Sequence, residues 1–337
     1  MSALARDLDE IAAETGFSGV VRVDRGDEIE VVRAYGLADR AHAVPNTPET
    51  QFATASGTKG LTALVVMRLV EDGALSLETT ARSVLGSDLP LVDDRVSIEH
   101  LLAHRSGIGD YLDEELDLDF SDYLMPVPVH KLATTEAYLG VLDGHAQKFP
   151  PGERFAYCNG GFVVLALIAE RVAKTPFHDL VRDLVCAPAG MGDTAFLRSD
   201  ALPGRAALGY TQVGDEWRTN VFHLPVCGSG DGGIYTTAAD VAAFWRALFA
   251  GAIVRKETLA EMLKERSAPE ADRAYGLGFW LPAGGHAVRL HGGDTGVRFF
   301  TVHDRERRMT WTALANSDTP AAPIWTRLEE ERMAVRA

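Results

Sequence analysis

The sequence predicts an α/β fold of the α+β type, in which both ends of the chain build one mixed, mainly antiparallel sheet flanked by helices. Two β-rich runs near the N-terminus and four more near the C-terminus enclose a middle that is helical and rich in loops. Strands at both ends with helices between them favour a single sheet with an inserted helical subdomain. We therefore expect a single catalytic domain over residues 1–337. Its sheet part covers 1–74 and 235–337, and its helical part covers 75–234.

The N-terminal elements follow from short patterns. The first sixteen residues, MSALARDLDEIAAETG, carry acidic side chains through an apolar pattern, which indicates an amphipathic helix rather than a signal peptide. GVVRVDRGDEIEVVRAYG, at 19–36, predicts a hairpin, because two β-rich runs surround an Arg-Gly-Asp turn. A helix follows Ser56 and ends near Asp72-Gly73.

The rest of the chain has an equally simple pattern. GFVVLALIAERVAK (161–174) and TTAADVAAFWRALFAG (236–251) predict helices, and the acidic stretch at 110–122 predicts a solvated acidic lid. The segments YGLGFWL, HAVRLH, VRFFTVHD and MTWTALAN predict strands, and APIWTRLEEERMAV predicts a closing helix.

Composition excludes several classes of function. The formal net charge of -15 argues against a nucleic-acid partner, since binding phosphates requires clustered Lys and Arg. No apolar run approaches the length of a membrane span, so no membrane partner is expected. The three cysteines have no metal-site spacing, which is typical of reduced thiols, and we expect a cytoplasmic protein, or a periplasmic or secreted one if a leader was removed. Composition leaves the oligomeric state open.

Ser56 stands three residues before Lys59 at the start of an apolar helical run. Residues at i and i+3 share a helix face, so the lysine amine can reach the serine hydroxyl. The positive N-terminus of the helix disfavours a protonated amine, and a free amine can activate a serine nucleophile. The alternative is that Ser56 caps the helix and Lys59 is solvated.

Three further segments support the catalytic interpretation. They are LLAHRSGI (101–108), the stretch around YCN (157–159) before a buried helix, and LHGGDTGVRFF (290–300) at a strand. With the Ser56 segment they resemble, in order and spacing, the serine β-lactamase and penicillin-binding-protein-like family. The likeness is greatest to its class C branch, which also holds carboxylesterases, D-amino-acid peptidases and amidases. It runs from about Gly19 to Asn316 and implies a β-lactamase/transpeptidase-like fold.

The resemblance assigns roles to the matching residues. It makes Ser56 the nucleophile, Lys59 its proton acceptor and Tyr157 a second acid/base group for the leaving group. Asn159 would bind the acyl side of the substrate. Cys158, between Tyr157 and Asn159, is expected to point away from the pocket.

His291, Gly292 and Gly293 occupy the place of the family's Lys-Thr-Gly. The two glycines let the strand approach the substrate closely. The same register assigns the backbone N–H groups of Asp294 and Ser56 to the oxyanion hole. A histidine in place of a permanent cation departs from the lactamases and weakens the case for binding a substrate carboxylate.

Other signals carry less weight. The glycines of GSGDGG (228–233) match a nucleotide-binding pattern without its βαβ context, so a flexible turn beside the pocket is the better interpretation. His100 and His104 have a spacing that zinc can use but no third ligand, and are interpreted as core or surface residues. The acidic stretch lacks the glycine of a calcium loop. No metal or organic cofactor is implied.

The sequence therefore predicts a serine hydrolase that acts through an acyl-enzyme on an ester or amide of a small substrate. One alternative is a β-lactamase or D-alanyl-D-alanine carboxypeptidase, whose substrate is a lactam or a peptide. An alternative of another class is a non-catalytic module with a penicillin-binding-like fold.

Overall fold

Two segments from opposite ends of the chain build one antiparallel sheet in the computed structural model, which describes residues 2–116, 123–270, 273–282, 285–318 and 321–334. The strands are β1 (Gly19–Arg25), β2 (Glu28–Tyr35), β3 (Leu37–Asp39), β4 (Val44–Pro45), β5 (Phe52–Ala53), β6 (Tyr210–Val213), β7 (Glu216–Thr219), β8 (Tyr235–Thr236), β9 (Ser267–Glu270), β10 (Arg273–Tyr275), β11 (Trp280–Pro282), β12 (Ala287–Asp294), β13 (Val297–Asp304) and β14 (Met309–Ala315). Eight of them form the large sheet in the order β2-β1-β14-β13-β12-β11-β10-β9. Each paired neighbour in it is antiparallel, which confirms the predicted sheet from both termini.

The α-helices cover both faces of this sheet. Most of them lie in the middle of the chain, and the first and the last lie at its two ends. They are α1 (Ala3–Thr15), α2 (Thr58–Glu71), α3 (Ala81–Leu85), α4 (Ile98–Leu102), α5 (Leu139–Leu142), α6 (Asn159–Ala173), α7 (Phe177–Val181), α8 (Ala187–Ala189), α9 (Ala238–Ala250), α10 (Lys256–Met262) and α11 (Ala322–Ala334). Within the described ranges, no helix combines the length and the apolar character needed to cross a membrane.

Alternation along β1 explains why the two termini pair. Val21 and Val23 lie opposite Ala313 and Trp311 of β14, and all four join the cluster under α1 and α11. Val20, the residue before Val21, belongs to the larger cluster on the other face, with α2, α6 and α9. Successive side chains of a strand point to opposite faces, so this strand is buried on both sides and its register is fixed.

The helices around the site are apolar on most of their circumference. α6 is buried from Asn159 to Ala169, and α2 is buried along nearly its whole length. α2 ends at Glu71 and is followed by Asp72 and by Gly73, whose φ is 74°, as predicted from the Asp-Gly pair. Because α2 and α6 pack against each other, the start of each helix reaches the same pocket.

One predicted strand is wrong. YGLGFWL is not continuous, because β10 ends at Tyr275 and β11 begins at Trp280, with these two residues paired across a hairpin. Gly278 lies in the connection with φ of 85°, and a Cβ there would stand 2.3 Å from the Ala63 side chain. The close approach to α2 forces the turn, and the sequence pattern contains no sign of it. The hairpin of β6 and β7, inside the helical part, was not predicted either.

Candidate active site

Ser56 lies at a sharp turn between β5 and α2. It is the middle residue of a 3₁₀ turn, Ala55–Gly57, which leads directly into the helix. The residue before it, Ala55, has a φ of 45°, which is uncommon for a residue with a side chain and costs energy. Ser56 lines the large pocket and forms no capping bond to α2, whose N-cap is Gly57. The alternative of Ser56 as a helix cap is therefore wrong.

Lys59 is buried, with 2% of its surface exposed, and its amine has three oxygen neighbours. Nζ lies 2.9 Å from Ser56 Oγ, and it donates to Asn159 Oδ1 and to the backbone oxygen of Asp231, both at 2.8 Å. Burial lowers the pKa of the Lys59 amine, and the charges of Asp231, Glu114 and Asp110 act against this. The alternative of a solvated lysine is wrong.

The orientation of the Asn159 amide is fixed by its other bonds. Nδ2 donates to the backbone oxygen of Leu112 and to Glu114 Oε1, both at 3.1 Å. The Oδ1 atom that faces Lys59 is therefore an acceptor. Asn159 is thus held between α2 and the acidic stretch and lies at the pocket wall.

Tyr157 completes a group of three polar side chains around Ser56. Its ring lies 4.9 Å from Lys59 Nζ, and its hydroxyl group is close enough to Ser56 to interact with it. Burial, followed by the charge of Glu114, raises the pKa of the Tyr157 hydroxyl well above its usual value, so the phenol is neutral. Cys158 faces away, as predicted, because its Sγ accepts from the Gly161 N–H at 3.3 Å.

The glycine pair of β12 has two different environments. A Cβ on Gly292 would stand 2.2 Å from the Thr54 oxygen and 2.6 Å from the Ser56 nitrogen, whereas the nearest atom to a Cβ on Gly293 would be Arg298 Cδ at 3.9 Å. Gly292 therefore packs closely against the Ser56 turn, and the close approach of the two glycines to substrate stays a prediction. Gly293 is exposed and faces the pocket.

His291 is uncharged at neutral pH. Burial lowers its pKa to about 4, helped by the charges of Arg289, Arg273 and Lys59. Its ring stacks on Trp280 with centroids 5.2 Å apart. His291 therefore contributes a neutral aromatic surface to the pocket wall.

Asp294 lines the pocket at the end of β12. Its Oδ1 accepts from the Thr295 N–H at 2.9 Å, and Arg298 donates to its backbone oxygen. Burial raises the pKa of the Asp294 carboxyl to about 7. This carboxyl is therefore only partly ionised at neutral pH, which the sequence did not predict.

Sequence reasoning missed Asp231, which contacts Lys59 through its backbone. Its carboxylate accepts a hydrogen bond from the Tyr111 hydroxyl and also lines the pocket. The GSGDGG segment is beside the pocket as predicted, but it is tightly packed rather than open. A Cβ on Gly230 would stand 2.1 Å from the Phe162 oxygen. The only signal in the sequence was the spacing of these glycines.

The acidic stretch is anchored at Asp110 and Asp113, whereas residues 114–116 are exposed, as expected for a solvated segment. Asp110 is buried and accepts from the N–H groups of Asn159 and Gly160 at 2.5 and 2.8 Å. Asp113 pairs with Lys148 at 2.9 Å. The remainder of the stretch, residues 117–122, lies outside the described residues.

These residues surround a pocket of about 680 Å³, large enough for a small substrate. The lining includes the carboxyl groups of Glu114, Asp231 and Asp294. It also includes the apolar residues Leu197, Leu224, Pro225 and Val226.

Known proteins share this architecture. A penicillin-binding protein from Bacillus halodurans has a similar structure, with a TM-score of 0.91, 34% identity and coverage of 96% of this chain and 99% of that one. Esterase EstB from Burkholderia gladioli is 29% identical over 81% of this chain and 76% of its own length. A D-aminopeptidase from Brucella anthropi is 27% identical over 92% of this chain, which spans 58% of that enzyme. The model of the Beta-lactamase family matches residues 4–332, and the chain belongs to that family.

Proposed function

We propose that this protein is a serine hydrolase that cleaves an ester or amide of a small substrate in two steps through an acyl-enzyme. The observation that carries the proposal is the geometry around Lys59. Asn159 Oδ1 and the Asp231 backbone oxygen are acceptors only, so they take two N–H groups of a neutral amine. The remaining position of the nitrogen faces Ser56 Oγ at 2.9 Å, where the lone pair can accept the hydroxyl proton.

Tyr157 is suited to the opposite task. A neutral phenol beside Ser56 can protonate the leaving alcohol or amine as the tetrahedral intermediate collapses. The Ser56 proton passes to Lys59 as Oγ attacks the carbonyl carbon. The leaving group takes the Tyr157 proton, and the phenolate regains one from Lys59. Water then attacks the acyl-enzyme by the reverse route.

The backbone N–H groups of Ser56 and Asp294 are proposed as the oxyanion hole. The backbone of Gly292 passes next to the Ser56 nitrogen, which supports this assignment because Asp294 is two residues further along the same strand. Fixed amide donors stabilise negative charge that develops on the carbonyl oxygen.

The neutral His291 favours esters and amides over substrates that need a cation at this position to bind a carboxylate. The esterase and the aminopeptidase among the relatives support the same choice. A parallel assay with a short-chain p-nitrophenyl ester, a D-alanyl amide and a chromogenic cephalosporin separates the alternatives. We expect turnover of the ester or the amide to exceed turnover of the cephalosporin.

The site assignment has its own test. A fluorophosphonate probe should label Ser56, and Ser56→Ala should abolish both labelling and turnover. An adduct found by mass spectrometry on another serine, such as Ser199 in the pocket wall, would overturn the assignment. Absence of both labelling and turnover in the wild type would favour a non-catalytic module.

A further inference from the structure

The segment that carries Tyr157 has no regular structure of its own. Residues 154–158 lie in neither a helix nor a strand, and α6 begins only at Asn159. A general acid is effective only when it is held within hydrogen-bond reach of the leaving atom. Contacts from another part of the chain must therefore fix the Tyr157 ring.

His104 supplies such contacts on both sides of Tyr157. The Ala156 N–H donates to the His104 backbone oxygen at 2.9 Å. The Cys158 N–H donates to His104 Nδ1 at 3.0 Å. The imidazole also lies against the Tyr157 ring, with centroids 4.3 Å apart and planes tilted by 31°. One residue thus holds the backbone before and after Tyr157 and the face of its ring.

The surroundings of His104 keep it in the form that accepts this bond. Its ring is fully buried among Phe155, Phe162 and Tyr275, with centroids 4.8 to 5.7 Å away. An Nδ1 atom that accepts requires the proton to sit on Nε2. Burial, together with the charge of Lys59, lowers the pKa of His104 and keeps the ring neutral.

The choice of histidine has two costs. Nε2 is buried without a hydrogen-bond partner among the described residues, and the backbone has φ of 54°. A phenylalanine would fill the same aromatic space without a buried N–H. Unlike phenylalanine, histidine provides an Nδ1 acceptor for the Cys158 N–H. This hydrogen bond explains why a histidine stands at this position despite its unfavourable surroundings.

We propose that His104 is a positioning residue for catalysis, which fixes Tyr157 by accepting the Cys158 N–H. This inference rests on the proposed role of Tyr157 as the acid for the leaving group. It goes beyond that role because it assigns a function to a buried side chain that does not itself line the pocket.

The test uses a series of esters of one acid whose alcohols range from p-nitrophenol to ethanol. A poor leaving group depends on protonation, and a good one does not. His104→Phe removes the acceptor and keeps an aromatic ring. We expect its kcat/KM to fall at least ~10-fold on the ethyl ester and less than ~3-fold on the p-nitrophenyl ester. His104→Asn retains an acceptor and tolerates a positive φ, so it should restore much of the ethyl-ester activity.

A matched control comes from His303. It is also buried and bonds Thr310 through Nδ1 at 2.9 Å, but its ring stacks on Trp245 and Phe249 and not on Tyr157. His303→Phe should change kcat/KM for all esters by one common factor. If His104→Phe also changed kcat/KM for all esters by one common factor, the positioning role would be overturned. If His104→Phe does not fold, His104→Gly suits the left-handed backbone, removes the same acceptor and is judged by the same criterion.

Tyr157→Phe separates this inference from the proposed function. If Tyr157→Phe shows the graded loss and His104→Phe does not, the His104 inference fails alone. If Tyr157→Phe affects all esters equally, the role of Tyr157 as acid fails, and the His104 inference fails with it. In the double variant the two graded losses should be less than additive, because both act on one group.

Discussion

The two neighbouring glycines of β12 allow a sharp test of how closely this strand must approach the nucleophile. Gly292→Ala and Gly293→Ala are the same chemical change at adjacent positions, and neither glycine has a left-handed φ. At Gly292 the new Cβ would meet the Thr54 oxygen at 2.2 Å and the Ser56 nitrogen at 2.6 Å, whereas at Gly293 it would have 3.9 Å of space. The obstructing atoms at Gly292 are backbone atoms, so no side-chain rotation relieves the clash.

The clash must therefore displace β12 from the Ser56 turn. Overpacking of this kind costs about 1–3 kcal/mol of folding free energy. A shift of about 1 Å in the oxyanion donors lowers kcat by roughly 100-fold. For Gly293→Ala we expect a change in unfolding free energy within about 0.5 kcal/mol, because the site is exposed and open.

Urea unfolding and kcat on a p-nitrophenyl ester measure the two effects separately. We expect Gly292→Ala to lose both stability and kcat, and Gly293→Ala to affect KM at most, through its contact with bound substrate. Near wild-type stability and kcat in Gly292→Ala would refute the close approach. Equal losses of stability and kcat in the two variants would show that a Cβ is no more obstructed at Gly292 than at Gly293.

Two further predictions concern charges in the pocket. Lys59→Arg keeps a cation but cannot act as a base, so it should lose as much kcat as Lys59→Ala. In the wild type, kcat/KM should rise with pH as the Lys59 amine loses its proton. Substantial activity in the Arg variant would contradict the role of Lys59. The Asp294 carboxyl has a pKa raised to about 7, so it is ionised above this pH and protonated below it. Any preference in kcat/KM for substrates with a free amine over their N-acylated forms should grow as pH rises through 7 and vanish in Asp294→Asn, and a preference unchanged in that variant would exclude Asp294 as its source.

The parts of the fold and site that the sequence predicted depend on local spacing. The spacing of three residues from Ser56 to Lys59 brings these side chains together because a 3₁₀ turn leads directly into α2, and Asn159 is placed by the start of α6. The β-rich runs at 19–36 and near the C-terminus likewise identified the strands that join the termini. A contact set by a helical or β period is readable from one sequence.

Other features depend on contacts between segments that no period connects. Asp231 reaches Lys59 through a backbone oxygen, so its side-chain type is not what makes the contact. The clamp at Tyr157 joins residue 104 to residues 156 and 158 through an irregular loop. The hairpin at Gly278 arises from its approach to Ala63 of α2. Each becomes visible only when the packing of the helices is known.

The state of Lys59 shows how the same burial acts on several groups at once. From the sequence, the positive end of α2 is the reason to expect a free amine, but desolvation by burial is the largest cause of the lowered pKa. The carboxylates of Asp231, Glu114 and Asp110 oppose it by favouring the ammonium form. Burial also raises the pKa of Asp231, and it raises that of Asp110 to about 6. A carboxyl group that takes up a proton loses its charge and no longer favours the ammonium form of Lys59. Since a buried amine and buried acids each favour their neutral forms, proton sharing among them keeps the pocket close to neutral. Lys59 accepts the Ser56 proton while its own titration is coupled to that of these carboxyl groups. The pH at which activity rises is therefore determined by the coupled groups together and not by the pKa of Lys59 alone.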